Sequence, residues 1–473
     1  MVAGICGRYK QLRSSCRKPF RRTEDICGFA RDRPRCVRDA GAGGPVVAKE
    51  SRGQVVSDPK EADALVKGTA RIWVTGHISL NPHSHSSTPT FEGFLSAEVV
   101  GRNGETFWSY LVTPSNFPWN GITNDLAHQL VGKLLEALKG ESQRAPMVAG
   151  QQVQFEGTLR GAGATFPAPL YQRWFELFQE QNPKAQISYD AVGSAEGIRR
   201  LKEGKVDFGA SEMPLSDEAR SEAHQRFLHL PTVLGAVVVI YNLKGVRQNL
   251  NFTPEALSGI FLGKITHWND PEVRKSNPGA ALPDADIVVA HRSDGSGTTF
   301  VWSDYLSKIS SQWKASVGEG ATVQWPVGIG AEGNEGVASA VQRTPNSIGY
   351  VEFIYAIQHE LSFGAVKNAA GQFIKANIST VTAAATTSAD TLSQDFRVSI
   401  INPPGKATYP IATYTWVLFP EQEDKNKKEI LTELLRWMLT SGQKKCSALG
   451  YAPLPMGVAK YALESLDEKR SVR

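Results

Sequence analysis

The chain has 473 residues, 41% of them hydrophobic and 21% charged. That is the composition of folded domains, and it is too long for one compact domain. No run of eighteen apolar residues occurs, so no membrane span is expected. The net charge of +5 is uneven: residues 1–50 hold 12 Lys/Arg against 5 Asp/Glu, a net of +7, which leaves the other 423 residues at −2. The bulk of the chain therefore lacks the basic face of a nucleic-acid binder.

Residues 1–58 are rich in Arg, Gly and Pro, show neither helical nor strand periodicity, and read as a disordered basic segment. Cys6, Cys16, Cys27 and Cys36 lie within it, without a C-x-x-C pair or the spacing of a common zinc module, so no metal or cofactor is expected. The segment also lacks the apolar core, roughly 7–15 residues long, of an export signal. Read from Met1, the chain predicts either a cytoplasmic protein or a sequence from which the true export signal is missing, with residues 1–58 an upstream extension or a miscalled start.

Residues 59–140 read as a small α+β domain. Ala64–Leu80 alternates like a strand, and Phe91–Val100 and Thr106–Val112 flank Asn103-Gly104, a hairpin signal. Thr123-Asn124-Asp125 offers caps for a helix from about Leu126 to Lys139, whose leucines form one stripe. His83 and His85, in a Ser/Pro-rich loop, read as a solvated turn rather than a metal site. Residues 141–152 are polar, with Pro and Gly, and read as a linker.

From Val153 to about Tyr461, strand-like runs alternate with helical ones. The strands are Gln186–Val192, Val206–Ala210, Thr232–Tyr241, Asp286–Ala290, Ser347–Val351 and Tyr414–Phe419. The helices include Ala168–Gln181, Ala195–Glu203, Pro254–Phe261, Phe300–Ile309, Gly336–Val341 and Lys427–Thr440. Such alternation predicts an α/β fold, and about 310 residues predict two α/β lobes rather than one sheet. Residues 462–473 are left as a C-terminal tail.

Three loops in this region break from strand to helix on Gly, Ser and Thr: Gly161–Pro167, Val192–Gly197 and Arg292–Thr299. A helix start offers free N–H groups and the positive end of the helix dipole to an anion. Thr165, Ser194, Ser296 and Thr298 add hydroxyls. Arg292 adds a charged fork suited to a tetrahedral oxyanion, and Asp294, two residues on, orients it. A fourth segment, Val206–Ser211, brings Asp207. A carboxylate among donors suits an anion that carries a proton, as phosphate does near neutral pH; sulfate would leave it unpaired.

These motifs, in this order, resemble the phosphate-binding subunit of the bacterial phosphate ABC transporter, the PstS family. The likeness runs from about Gly157 to Tyr461. It rests on GAGATFPAPLY at 161–171, VDFGASEMPLSDE at 206–218, FLGKITHWND at 261–270, RSDGSGTTF at 292–300, and GNEGVASAVQ and IGYVE further on. The resemblance implies a two-lobed periplasmic-binding-protein (type II) fold, here preceded by the small α+β domain. It implies that Ala164, Thr165, Phe166, Ser194, Asp207, Arg292, Ser296, Gly297 and Thr298 contact inorganic phosphate, with Asp294 behind Arg292. It implies work outside the cytoplasmic membrane with membrane permease and ATPase subunits, and no catalysis. Ala195-Glu196 departs from the family's Ser/Gly-Gly turn; Glu196 is expected to face solvent or a basic neighbour. Two other readings stay open: a phosphatase, for which His291 is the only tempting base, and an envelope sensor or scaffold that uses residues 59–140.

Overall fold

The structure, a computed structural model, describes residues 25–30, 54–56, 64–78, 88–101, 104–114, 121–141, 155–215, 227–246, 249–387, 396–420 and 424–471. His83 and His85 fall outside them. The chain divides into two compact units. One comprises Met1–Trp73, Phe91–Gly150 and Ser447–Leu449; the other comprises Val74–Thr90, Gln151–Cys446 and Gly450–Arg473.

The first unit carries a five-stranded sheet of β1 (Asp25–Ala30), β2 (Gln54–Val56), β3 (Ala64–Ile78), β4 (Thr88–Gly101) and β5 (Thr106–Val112), in the order β2-β1-β3-β4-β5. Its helix α1 (Ile122–Glu141) buries Ile122, Leu126 and Leu130 against Leu95, Ala97 and Val112. The helix starts four residues before the expected Leu126, directly after Gly121 at φ 83°. Asp125 therefore lies in its first turn, where the dipole favours a carboxylate. Residues 1–58 are not wholly without order: β1 and β2 pair antiparallel, and β1 adds to β3. Backbone pairing at an open edge needs no side-chain periodicity, which is why the sequence pattern is silent there.

The second unit opens with β6 (Gly157–Gly163), α2 (Ala168–Gln181), β7 (Ala185–Ala191), α3 (Ser194–Lys202), β8 (Phe208–Ser211) and β9 (Phe227–Asn242). The short β10 (Asn251–Phe252), α4 (Pro254–Phe261) and α5 (Pro271–Ser276) follow. Next come β11 (Val288–Arg292), α6 (Gly297–Ile309), the helical turn Ser311–Ser316, β12 (Ile329–Ala331), α7 (Gly333–Arg343), β13 (Ser347–Glu352) and α8 (Phe353–Gln358). After the short strands β14 (Ser362–Phe363), β15 (Ala365–Lys367) and β16 (Phe373–Ile374) come α9 (Ile378–Thr386), β17 (Ala412–Pro420), α10 (Lys425–Leu439) and α11 (Met456–Ser471). The expected tail at 462–473 is thus helical as far as Ser471. Val458, Ala462 and Leu466, spaced by four, bury one face of it.

The long sheet runs β12-β11-β13-β9-β17-β8-β6-β7. Its two ends are parallel blocks: β7, β6 and β8 form one lobe, β12, β11 and β13 the other. Antiparallel β9 belongs to both. Phe227–Ala236 pairs with β17 and Val237–Asn242 with β13. The two lobes therefore share a crossing at Ala236–Val237, where Val237 N–H donates to Ile411 O at 2.9 Å. β9 begins five residues before the expected Thr232. Pro231 lies inside the strand and cannot donate to its ladder, and the register shifts there, between Thr415 and Trp416.

Close backbone packing joins α3 to the start of the first lobe. A Cβ on Gly197 would sit 2.3 Å from Gly163 Cα and 2.7 Å from Ala162 O, both rigid backbone. Gly197→Ala is therefore expected to push α3 away from β6 and cost about 1–3 kcal/mol, read as a lower denaturant midpoint with an unchanged slope.

Candidate functional site

Parallel strands expose their C-terminal ends to the loops that follow, and the second unit places its Gly/Ser/Thr breaks there. β6 ends at Gly163, whose φ of 148° and 2.2 Å Cβ clearance from Ala210 O admit only glycine. The chain then turns through Ala164-Thr165-Phe166 into α2. β11 extends two residues past its expected end, to Arg292, and α6 begins at Gly297, three residues before the expected Phe300. This puts Arg292 on the last position of a strand and Ser296 at the N-cap of a helix facing the first lobe.

Arg292 is 3% exposed. Its Nε donates to Asp294 Oδ1 at 2.7 Å, and its Nη2 donates to Asp294 Oδ2 in a two-point fork. Asp294 Oδ1 also accepts from Gly333 N at 3.1 Å. Burial would raise the Asp294 carboxyl, but the hydrogen bonds and charge of Arg292 outweigh it and hold the group below its usual range. The remaining nitrogen, Nη1, lies 3.4 Å from both Thr165 Oγ1 and Thr298 Oγ1. One guanidinium thus faces hydroxyls from both lobes.

The helix start supplies the rest of the donors. Ser296 Oγ caps α6 by accepting from Thr299 N at 3.1 Å, which leaves its own O–H free to donate. Among the described residues, the N–H groups of Gly297 and Thr298 have no backbone acceptor, as the first turn of a helix requires. Thr165 and Phe166 N–H are also without a protein partner among the described residues, whereas Ala164 N–H is taken by Ala210 O at 2.9 Å. Ala164 therefore offers no main-chain donor, contrary to the expectation placed on it.

The structure corrects the position of the acid. Asp207 lies ahead of β8, at the far end of that strand. Its Oδ2 accepts from Arg160 N at 2.7 Å, and its Oδ1 pairs with Lys427 Nζ at 2.9 Å. Five residues of extended chain, roughly 16 Å, separate it from the strand's other end. There stands Glu212, 1% exposed. Its Oε1 accepts from Thr415 Oγ1 at 2.8 Å, and its Oε2 accepts from Ser194 Oγ at 3.3 Å. A Cβ on Gly297 would sit 2.3 Å from Glu212 Oε2 and 2.4 Å from Ser194 Oγ, so the second lobe's helix start rests directly on both. Burial pushes the Glu212 carboxyl up to about 7, against the hydrogen bonds from Thr415 and Ser194 and the charge of Arg292.

Asn334 was also missed. It is fully buried at the start of α7, where its Nδ2 donates to Thr165 Oγ1 at 2.8 Å and to Thr298 Oγ1 at 3.2 Å. Its Oδ1 accepts from Glu352 N at 2.9 Å. The G-N-E-G string that holds it was the available signal. Glu196 turns away from the cluster and pairs with Arg199 and Arg200 at 2.7 and 2.8 Å. His291 stacks on Trp325 with ring centroids 4.7 Å apart, and its Nδ1 lies 3.0 Å from Arg292 O. Among the described residues, no hydrogen bond joins its imidazole to the hydroxyls of the cluster.

The cluster is a closed cage of donors around one charged fork and one acceptor, set where two parallel blocks meet across shared strands. That arrangement is a two-lobed binding-protein fold. A family model described as the PBP superfamily domain matches residues 149–441. A Phosphate-binding protein PstS from Xylella fastidiosa is 41% identical over 304 residues, covering 64% of this chain and 83% of that protein. One from Pasteurella multocida is 39% identical over 300 residues, covering 63% and 86%. One from Methanocaldococcus jannaschii is 35% identical over 333 residues, covering 65% and 85%. Among solved structures, a high-affinity periplasmic phosphate-binding protein with bound phosphate aligns with a TM-score of 0.53 at 20% identity, covering 65% and 94%. A phosphate-binding protein from Stenotrophomonas maltophilia aligns at 0.51 and 20%, covering 65% and 94%. The chain belongs to the PstS family of phosphate-binding proteins.

Glu212 has a raised carboxyl, so the folded protein holds a proton that the unfolded chain releases near pH 4.5. Its contribution to stability is therefore lost as pH rises from about 4.5 through 7. The advantage of Glu212→Gln over the parent should grow across that window and level off above it. The full difference is about 3 kcal/mol, measured as paired melting temperatures from pH 5 to 8.5 without anions.

Proposed function

We propose that this chain binds inorganic phosphate in the cage and delivers it to the permease and ATPase subunits of a phosphate ABC transporter, outside the cytoplasmic membrane. The observation that carries the reading is the placement of Glu212 beside Ser194 and Gly297, facing the Arg292 fork. Arg292 and Asp294 cancel in charge, so the cage offers an anion oriented dipoles more than net positive charge. Thr165, Phe166, Ser194, Ser296, Gly297 and Thr298 supply N–H and O–H donors, the Ser194 hydroxyl by turning from Glu212 to the anion, and Arg292 supplies the charged one. A fully deprotonated anion satisfies those donors but leaves the Glu212 lone pair unmatched. Monohydrogen phosphate satisfies both, because its one proton reaches the one acceptor.

The two lobes each hold part of this cage, and the strands they share at Ala236–Val237 supply a hinge. Closure on the anion presents a ligand-dependent face to the permease. The reading is of binding without chemistry: His291, the one base considered, is occupied with Trp325 and its own strand. Names of the curated relatives support the same ligand.

Calorimetry with inorganic phosphate tests the assignment. Arg292→Ala should weaken binding by about 2–5 kcal/mol, and Arg292→Lys should not restore it, because an ammonium cannot make the Asp294 fork. Asp207→Asn should leave affinity within about twofold, since its partners lie at the other end of β8. Unchanged affinity in Arg292→Ala would remove the site.

Selectivity should follow the Glu212 proton. Above pH 7 the ionised carboxylate repels sulfate. Below about pH 6 the protonated form donates, and sulfate should begin to compete with phosphate. Competition titrations at pH 5.5 and 8 check this, and equal sulfate binding at both would sink the role of Glu212.

A further inference from the structure

Three successive carbonyls of the loop after β6 are each held by a different phenol. Tyr189 OH donates to Ala164 O at 2.8 Å, Tyr355 OH to Thr165 O at 2.7 Å, and Tyr451 OH to Phe166 O at 2.7 Å. Burial pushes all three phenols above their ordinary range, so they stay protonated and donate. They arrive from three places: Tyr189 from β7, Tyr355 from α8 in the other lobe, and Tyr451 from the segment that bridges Leu234 through Ala452.

The peptide unit is planar and trans, so its C=O and N–H point in opposite directions. Holding Ala164 C=O on one side of the loop turns Thr165 N–H to the other, and holding Thr165 C=O does the same for Phe166 N–H. These are the two loop N–H groups with no protein partner among the described residues. The third carbonyl, Phe166 C=O, shares its peptide with Pro167, which has no N–H to present. Phe166 itself is anchored from below: its ring fills the space that a Cβ on Gly235 of β9 would occupy, at 2.3 Å.

We infer that Tyr189 and Tyr355 are positioning residues that aim the Thr165 and Phe166 amides at the anion. Tyr355 does so from the opposite lobe, adding to the longer bond that Ala168 N–H makes to Thr165 O at 3.3 Å, so the Phe166 donor is held most firmly with the lobes together. Thr165 receives Tyr355 on its carbonyl and Asn334 and Arg292 on its hydroxyl, all from the second lobe. The inference rests on the phosphate-binding reading above.

The test uses the full chain, the variants Tyr189→Phe, Tyr355→Phe and Tyr451→Phe, and inorganic phosphate. Each variant loses one buried hydroxyl: Ala164 O and Phe166 O lose their donor, and Thr165 O keeps only the longer bond from Ala168 N–H at 3.3 Å. Tyr189→Phe and Tyr355→Phe should each weaken phosphate binding about 5- to 30-fold; Tyr451→Phe should change it by about twofold or less, because its peptide carries no N–H. Amide NMR locates the effect. The phosphate-induced shift of Phe166 N–H should fall by more than half in Tyr355→Phe with that of Thr165 kept, and the reverse should hold in Tyr189→Phe. Equal weakening in all three variants, or unaltered Thr165 and Phe166 shifts, overturns the inference while phosphate binding by the parent stands. Failure of the parent chain to bind phosphate overturns the functional reading and this inference with it.

Discussion

A guanidinium that is 3% exposed cannot stand alone in a protein interior, because an unpaired buried charge costs several kcal/mol. Arg292 is held by Asp294 through both arms of its fork, and Asp294 is held in turn by Gly333 N–H. That pairing removes the net charge yet leaves one nitrogen, Nη1, directed at Thr165 and Thr298. Much of the cage is ordered around it. β11 ends on Arg292, α6 starts five residues later, and α7 begins where Gly333 and Asn334 close over the same hydroxyls.

The consequence is a site that recognises an anion by hydrogen-bond direction more than by attraction. Donors come from helix N-termini, hydroxyls and one arginine arm, each already oriented by the fold, so little ordering remains for the moment of binding. On the proposed reading, the single acceptor of this cage decides selectivity. Glu212 is buried between Thr415 and Ser194, against the backbone of Gly297. The second lobe thereby completes a surface that the first lobe begins, and glycine at 297 is what lets the two backbones approach so closely.

The lobes meet because β9 and β17 run through both halves of one sheet. Their antiparallel pairing separates two parallel blocks, and the crossing at Ala236–Val237 is short. A short crossing between two stiff blocks concentrates bending in a few residues. The Tyr355 and Asn334 bonds to Thr165 span the blocks on the ligand side. The same contacts that orient donors therefore also hold the blocks together.

Much of this was legible locally. Strand-to-helix breaks on Gly, Ser and Thr marked Thr165, Ser194 and Ser296–Thr298, because helix starts leave N–H groups unsatisfied whatever the fold. Arg292 and Asp294, two residues apart at a strand end, could be paired from the sequence alone. The acid could not. Asp207 and Glu212 lie five residues apart, flanking the two ends of one short strand, and the pairing of β8 parallel to β6 decides which end meets the second lobe. Asn334 and the three tyrosines escaped for a related reason. Their targets lie far along the chain, up to 285 residues for Tyr451 and Phe166, and sequence spacing holds no record of which side chains the crossed strands bring face to face. Periodicity and turn chemistry thus determined the donors and the α/β lobes. The acceptor, and the direction in which each peptide points, were decided by tertiary packing, because both depend on which end of a strand is buried and what closes over it.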